Sequence, residues 1–223
     1  MCEVSIVIGS KGHMQRISRF APSQIVLRTA PVLRATFVRN LTAMPPSRLG
    51  VHEAHLQALQ LLLRLNMTCA YIFEQDVVPR RPPEWVRAAM ARLPSKWKYL
   101  NMGSCYASCH TAICVGADFV RNDRSWCRHA YAITRSAAQR VILATRMLRQ
   151  PGDITVSSVM QDDALSTIDR WYLQDREFFR YKSRNGRNDM AHECRYAPNR
   201  RGGSFGARCT VSHGFVGAAF NRN

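Results

Sequence analysis

Acidic side chains are the scarcest feature of this chain. Only 15 Asp and Glu stand against 32 Lys and Arg, a formal net charge of +17 over 223 residues. Such a surface draws polyanions: nucleic acid, anionic lipid or a diphosphate. The Arg residues are spread along the whole chain, and no basic block is interleaved with aromatics in the manner of single-strand binders. Long apolar runs are lacking too. The longest, around Leu59 to Leu65, is broken by Gln60 and Arg64, and a membrane span needs ~20 residues. The first residues lack a basic region, and their apolar run is too short for an export leader. No internal repeat is visible. Tight Cys-x-x-Cys pairs, which zinc modules favour, are absent among the eight cysteines.

What is present is a globular composition, 46% hydrophobic, long enough for one domain with a buried core. With no leader in view, reduced thiols and a cytoplasmic location are the default expectation, with a secretory route if a leader precedes the sequence. The Asn-x-Thr triplets at Asn40 and Asn66 carry little weight on that footing. Strand signals fall at Glu3 to Ile8, Gln24 to Leu27, Ala35 to Val38, Thr68 to Val78, Lys98 to Met102 and Ala130 to Thr134. Helical periodicity covers His52 to Leu65, ended by Asn66, then Glu84 to Leu93 and Ser136 to Leu148, with Ser136 as N-cap. Pro45-Pro46-Ser47 and Pro151-Gly152-Asp153 read as loop and turn. Strands alternating with helices predict an α/β layered fold. Residues 1–183 form the expected domain, and 184–223 an Asn/Arg/Gly-rich basic tail.

The sharpest local feature is Tyr71-Ile72-Phe73-Glu74-Gln75-Asp76-Val77-Val78-Pro79. An apolar strand runs straight into acids where acids are rare. Strand alternation would point Glu74 and Asp76 to one face and Gln75 to the other. Two carboxylates so placed suit a hard divalent ion, at the carboxyl ends of strands where open α/β sheets bind ligands. A solvated strand end is the competing explanation.

This segment resembles the Glu-Asp-Asp motif of glycosyltransferase family 25, the lipopolysaccharide and collagen sugar transferases. Upstream, Gly50-Val51-His52-Glu53-Ala54-His55 is similar to the family's Gly-x-x-x-Ser-His helix start. Downstream, Arg128 to Ala138 is similar to its strand and following helix, Pro151-Gly152-Asp153 to its Pro-x-Asp, and Gln174 to Ser183 to its closing segment. The five pieces occur in order across about Arg48 to Ser183. Gln75 departs from the family's middle acid and Ala54 from its serine, while Arg16 matches a basic position only loosely.

The resemblance implies a GT-A-type nucleotide-binding sandwich with a central mixed, mostly parallel sheet flanked by helices. It implies metal-assisted, inverting transfer of a hexose, galactose or glucose, from a UDP-sugar to a glycan or protein hydroxyl. Manganese or magnesium would bind Asp76 with help from Glu74. Glu74, Gln75 and His55 would contact substrate or nucleotide, and Lys11 or Arg16 the diphosphate. Inversion implies a general base on the acceptor hydroxyl, a role that suits a carboxylate: Asp153 is the first choice, with Asp163 and Asp162 as rivals. Three other readings compete. One is a binding protein on a decayed transferase fold, which the loss of the acid at Gln75 favours. The second is a basic nucleic-acid binder. The third is a zinc module drawn from Cys105, Cys109, His110, Cys114, Cys127 and His129.

Overall fold

The computed structural model describes residues 2, 4–9, 23–27, 46–103, 106–107, 113–115, 118–121, 125–145, 152–161, 163–167 and 171–174. Lys11, Arg16, Asp162, the expected strand at 35–38 and the 184–223 segment lie outside them.

The chain opens with β1 (Val4–Ile8) and β2 (Ser23–Leu27), followed by helix α1 (Pro46–Arg64). Next come β3 (Cys69–Glu74), β4 (Val77–Pro79) and α2 (Pro83–Met90). Five short strands follow: β5 (Tyr99–Asn101), β6 (Tyr106–Ala107), β7 (Ile113–Val115), β8 (Phe119–Arg121) and β9 (Ser125–Trp126). The described part closes with β10 (Ala130–Thr134), α3 (Arg135–Ala144), α4 (Gly152–Val159), β11 (Ala164–Thr167) and β12 (Tyr172–Gln174). One sheet runs in the order β2-β1-β3-β10-β5-β11-β8-β7. Strands β10 and β8 are antiparallel to the neighbours they pair with, while β1 pairs parallel with both β2 and β3. This is a mixed α/β sheet, as the strand–helix alternation predicts.

Alternation along the strands sorts the core into two layers. Ala70 and Ile72 join Ile6, Ile8, Tyr131 and Ile133 on the face packed by Ala58, Leu59 and Leu62 of α1 and Val141 of α3. Tyr71 and Phe73 join Val7, Leu100 and Ala132 on the other face, against Val86, Ala89 and Met90 of α2 and Trp171. Each fully buried large apolar side chain contributes about 1.5–3 kcal/mol, so both faces are needed to hold the sheet. Glu74, two residues past Ile72, thereby falls on the α1 face.

Several boundaries differ from the sequence expectation. Helix α1 begins at Pro46, in the expected loop, because a first-turn proline forfeits only an N–H that has no intrahelical partner. Asn66 does end it, adopting the left-handed conformation with φ of 55°. Helix α3 is capped by Thr134, not Ser136: its Oγ1 accepts from the Ala137 amide. Gly152 and Asp153 open a helix instead of forming a turn. Most consequential, the strand expected over Thr68 to Val78 stops at Glu74. Gln75 and Asp76 form a turn, and β4 leaves to pair with β12.

The reduced-thiol expectation is corrected. Cys2 and Cys69 form a disulfide across a sequence separation of 67. The β1–β3 register, with Val4 opposite Ala70, sets the two cysteines at adjacent strand starts with Cα atoms 5.0 Å apart, inside disulfide reach. Cys127 is also disulfide-bonded, which removes it as a zinc thiolate. Among the described residues no three His, Cys, Asp or Glu side chains converge to hold a metal.

Candidate functional site

The carboxyl ends of β1 and β3 meet three segments distant in sequence. Glu74 ends β3 opposite Ile8, and its amide donates to the carbonyl of His129, just before β10 (2.8 Å). Beyond Ile8 the chain turns at Gly9, whose φ of 145° disfavours any side chain. A Cβ there would strike the Gln75 side chain at 2.4 Å. Gln75 therefore packs on the β1 backbone, while Glu74 reaches toward α1.

Glu74 lies at the centre of a hydrogen-bonded chain. Its Oε1 lies 3.0 Å from Nε2 of His55, and its Oε2 accepts from Nε2 of Gln174 at 3.3 Å. Nδ1 of His55 lies 3.1 Å from the Tyr131 hydroxyl. Burial opposes charge on Glu74, yet the hydrogen bond from His55, with the nearby Arg128 charge, outweighs it and sets the carboxyl at about 2. Burial, then the Arg128 charge, lower His55 despite the opposing pull of Glu74 and Asp153. An ionised Glu74 only accepts, so the neutral His55 ring carries its proton on Nε2. Nδ1 is then an acceptor, and the phenol of Tyr131, pushed up by burial, donates to it. The order Tyr131–His55–Glu74 fixes one tautomer.

A second group adjoins it. The Asn101 side chain pins the loop before β10, donating to the Cys127 carbonyl (2.7 Å) and accepting from the Gly103 amide (3.0 Å). The Cys127 amide donates to Oδ2 of Asp153, in the first turn of α4, at 3.2 Å. Arg128 is buried beside His52 of α1, with Nη2 3.5 Å from Nδ1. Both press on Gly152, where a Cβ would meet the guanidinium at 2.3 Å and the imidazole at 2.4 Å. Burial, then the Arg128 and His55 charges, depress His52 to about 3. His129 is buried over Gly103, with Nε2 3.3 Å from the Tyr172 carbonyl.

The structure thus brings His55, Glu74, Gln75 and Asp153 to one end of the sheet. Asp76 follows in the partly exposed turn. Because the strand ends at Glu74, Glu74 and Asp76 are not alternate residues of one strand. Asp163 is elsewhere. It precedes β11 at the opposite end of the sheet, where it accepts from Lys98 (3.1 Å) and bonds Arg140. Arg128, His52, Tyr131 and Gln174 complete the cluster, though sequence reasoning gave them no individual role. The Arg128-His129 dipeptide before a strand, in a segment already singled out, was the available signal.

The sequence matches no protein-family model and no curated protein. Among solved structures, the chain is similar to A197 from STIV, with TM-score 0.44 and 12% identity over 74% of this chain and 81% of that one. It is similar to a proposed nucleotide-diphospho-sugar transferase from Desulfovibrio desulfuricans G20, with TM-score 0.43 and 11% identity over 87% and 94% of the two chains. A third likeness is to the inositol-1-phosphate CTP transferase from T. maritima, with TM-score 0.38 and 10% identity over 78% and 89%. At these identities the likeness concerns the path of the chain alone.

Proposed function

We propose that the protein transfers a sugar from a nucleoside diphosphate donor, a UDP-hexose, to an acceptor hydroxyl with inversion at the sugar carbon. One observation carries this reading. Glu74, His55, Arg128 and Asp153, from four segments that resemble the family 25 motifs, converge at the carboxyl ends of β1 and β3. A core built only for packing has no need of ionisable groups concentrated there.

Glu74 acts from the ground state as a fixed anion, with both oxygens engaged, so it orients neighbours and does not carry protons. Of the two acids expected to hold a metal, Asp76, in the partly exposed turn after β3, takes the role. A single carboxylate together with diphosphate oxygens is an accepted arrangement for magnesium-like ions. A divalent cation bound there would neutralise charge building on the leaving phosphate. Asp153 is the base. In one displacement the acceptor oxygen bonds the anomeric carbon, the bond to the phosphate oxygen breaks, and the hydroxyl proton passes to the Asp153 carboxylate.

A non-catalytic binding protein on the same fold is the second reading. It is favoured by the engagement of Glu74 and the packing of Gln75 on Gly9.

Asp153→Asn separates the two. With the full chain and a panel of UDP-hexoses, the variant is expected to release UDP ~10²–10⁴-fold more slowly, the usual worth of a general base, while binding UDP as wild type does. Equal release rates in both proteins would remove Asp153 from the chemistry. No release from wild type with any donor would favour the binding protein.

A further inference from the structure

We propose that Arg128 and His52, set against the first turn of α4, form an anion subsite that takes the diphosphate of the donor. The inference rests on the transferase reading only for the identity of the nucleotide.

Arg128 is 7% exposed and His52 5%. A guanidinium has five N–H donors and no acceptor. Among the described residues, the one polar contact of this one is the 3.5 Å approach of Nη2 to His52 Nδ1, and no carboxylate lies within ion-pair distance of it. Since Arg128 can only donate, Nδ1 of His52 is the acceptor and the ring proton sits on Nε2. That Nε2 is buried and, among the described residues, has no hydrogen-bond partner. Two linked, buried donor groups therefore face a shortage of acceptors at one place.

Natural interiors satisfy buried polar groups almost without exception, and unpaired buried charge is costlier still. The backbone beside them makes the shortage worse. Gly152 begins α4, and the unpaired amides of a helix N-terminus add positive potential. Gly152 also admits both side chains to the helix start, since a Cβ would collide with each. A phosphate oxyanion supplies the missing acceptors: Arg presents a fork that matches it, and helix N-termini bind it by their amides. Glu74, whose carboxyl the Arg128 charge helps to depress, lies near enough to register a ligand there.

The test is calorimetric titration of the full chain with inorganic pyrophosphate, UDP and uridine, using wild type, Arg128→Gln and Arg128→Lys. Melting temperatures are taken without ligand. Wild type is expected to bind pyrophosphate and UDP. Arg128→Gln weakens both at least tenfold, as loss of hydrogen bonds to a charged group implies. Arg128→Lys recovers part of the affinity because it keeps the charge but not the fork. Without ligand, Arg128→Gln melts no lower than wild type, since it removes an uncompensated buried charge. Two results overturn the inference: equal pyrophosphate affinity in wild type and Arg128→Gln, or a fall in the unliganded melting temperature with affinity unchanged. UDP binding indifferent to Arg128 would overturn the subsite and leave the transferase reading standing. Arg128-dependent pyrophosphate binding with no gain from any nucleoside would do the reverse.

Discussion

Acidification from pH 7 toward pH 3 is expected to unfold the protein, beginning well above the range of ordinary carboxylates. His52 and His55 are held neutral in the fold, His52 at about 3 against an unfolded 6.5 and His55 shifted in the same direction. The unfolded chain therefore binds more protons below pH 6.5, and stability falls as pH falls. Each such proton gives a slope approaching about 1.4 kcal/mol per pH unit, so His52 alone removes about 2 kcal/mol between pH 6.5 and 4.5. Glu74 then adds its share. Its carboxyl lies at about 2 against 4.5 unfolded, so its contribution is intact above pH 4.5 and lost down to about pH 2. Marginal stability of ~5–15 kcal/mol leaves little after those losses. Denaturant titrations at half-unit pH steps, on ligand-free wild type and His52→Gln, check this. The variant should show a shallower slope between pH 6.5 and 4.5. A flat wild-type profile there would mean that His52 and His55 are not buried as neutral rings.

The second large effect concerns the disulfide. Replacing Cys2 and Cys69 together by alanine frees a loop of sequence separation 67. Loop entropy for that length is worth about 4 kcal/mol, which for a domain of this size lowers the melting temperature by about 8–16 °C. The double variant isolates this bridge, whereas a reductant would also open the one at Cys127. Scanning calorimetry without reductant reads the difference directly. A shift of less than about 2 °C would show that the β1 and β3 starts hold together without the bond.

Much of this architecture was legible from periodicity. Ala130 to Thr134 is recovered without a shift, and the three expected helices are placed to within a few residues except for the early start at Pro46, while α4 stands where a turn was expected. The halves of the core follow from alternation along Ala70 to Phe73. What escaped depends on pairings distant in sequence. Nothing local in Glu74-Gln75-Asp76-Val77 announces that β4 will pair with β12, yet that pairing ends β3 at Glu74 and places Asp76 in a turn. The Cys2–Cys69 bond depends on strand register, which spacing does not encode. Asp163 was a rival of Asp153 for the base. The parallel pairing of β5 with β11 carries it to Lys98, at the other end of the sheet. Glu74, His55 and Asp153 were named from the sequence because motif order singled them out. Arg128 and His52 were not, because an arginine among so many is distinguished only by its burial.

The most direct test of the account is thermal stabilisation by UDP, with and without manganese, of wild type and Asp76→Ala. A ligand that binds only the folded state raises the melting temperature by mass action, ~2.7 kcal/mol at a hundredfold excess over Kd. That corresponds to about 5–11 °C for this size of domain. A shift of that order in wild type, dependent on manganese and lost in Asp76→Ala, is the predicted result. No shift with UDP or any other common nucleoside diphosphate, with or without the metal, would contradict a nucleotide-sugar site at the carboxyl ends of β1 and β3.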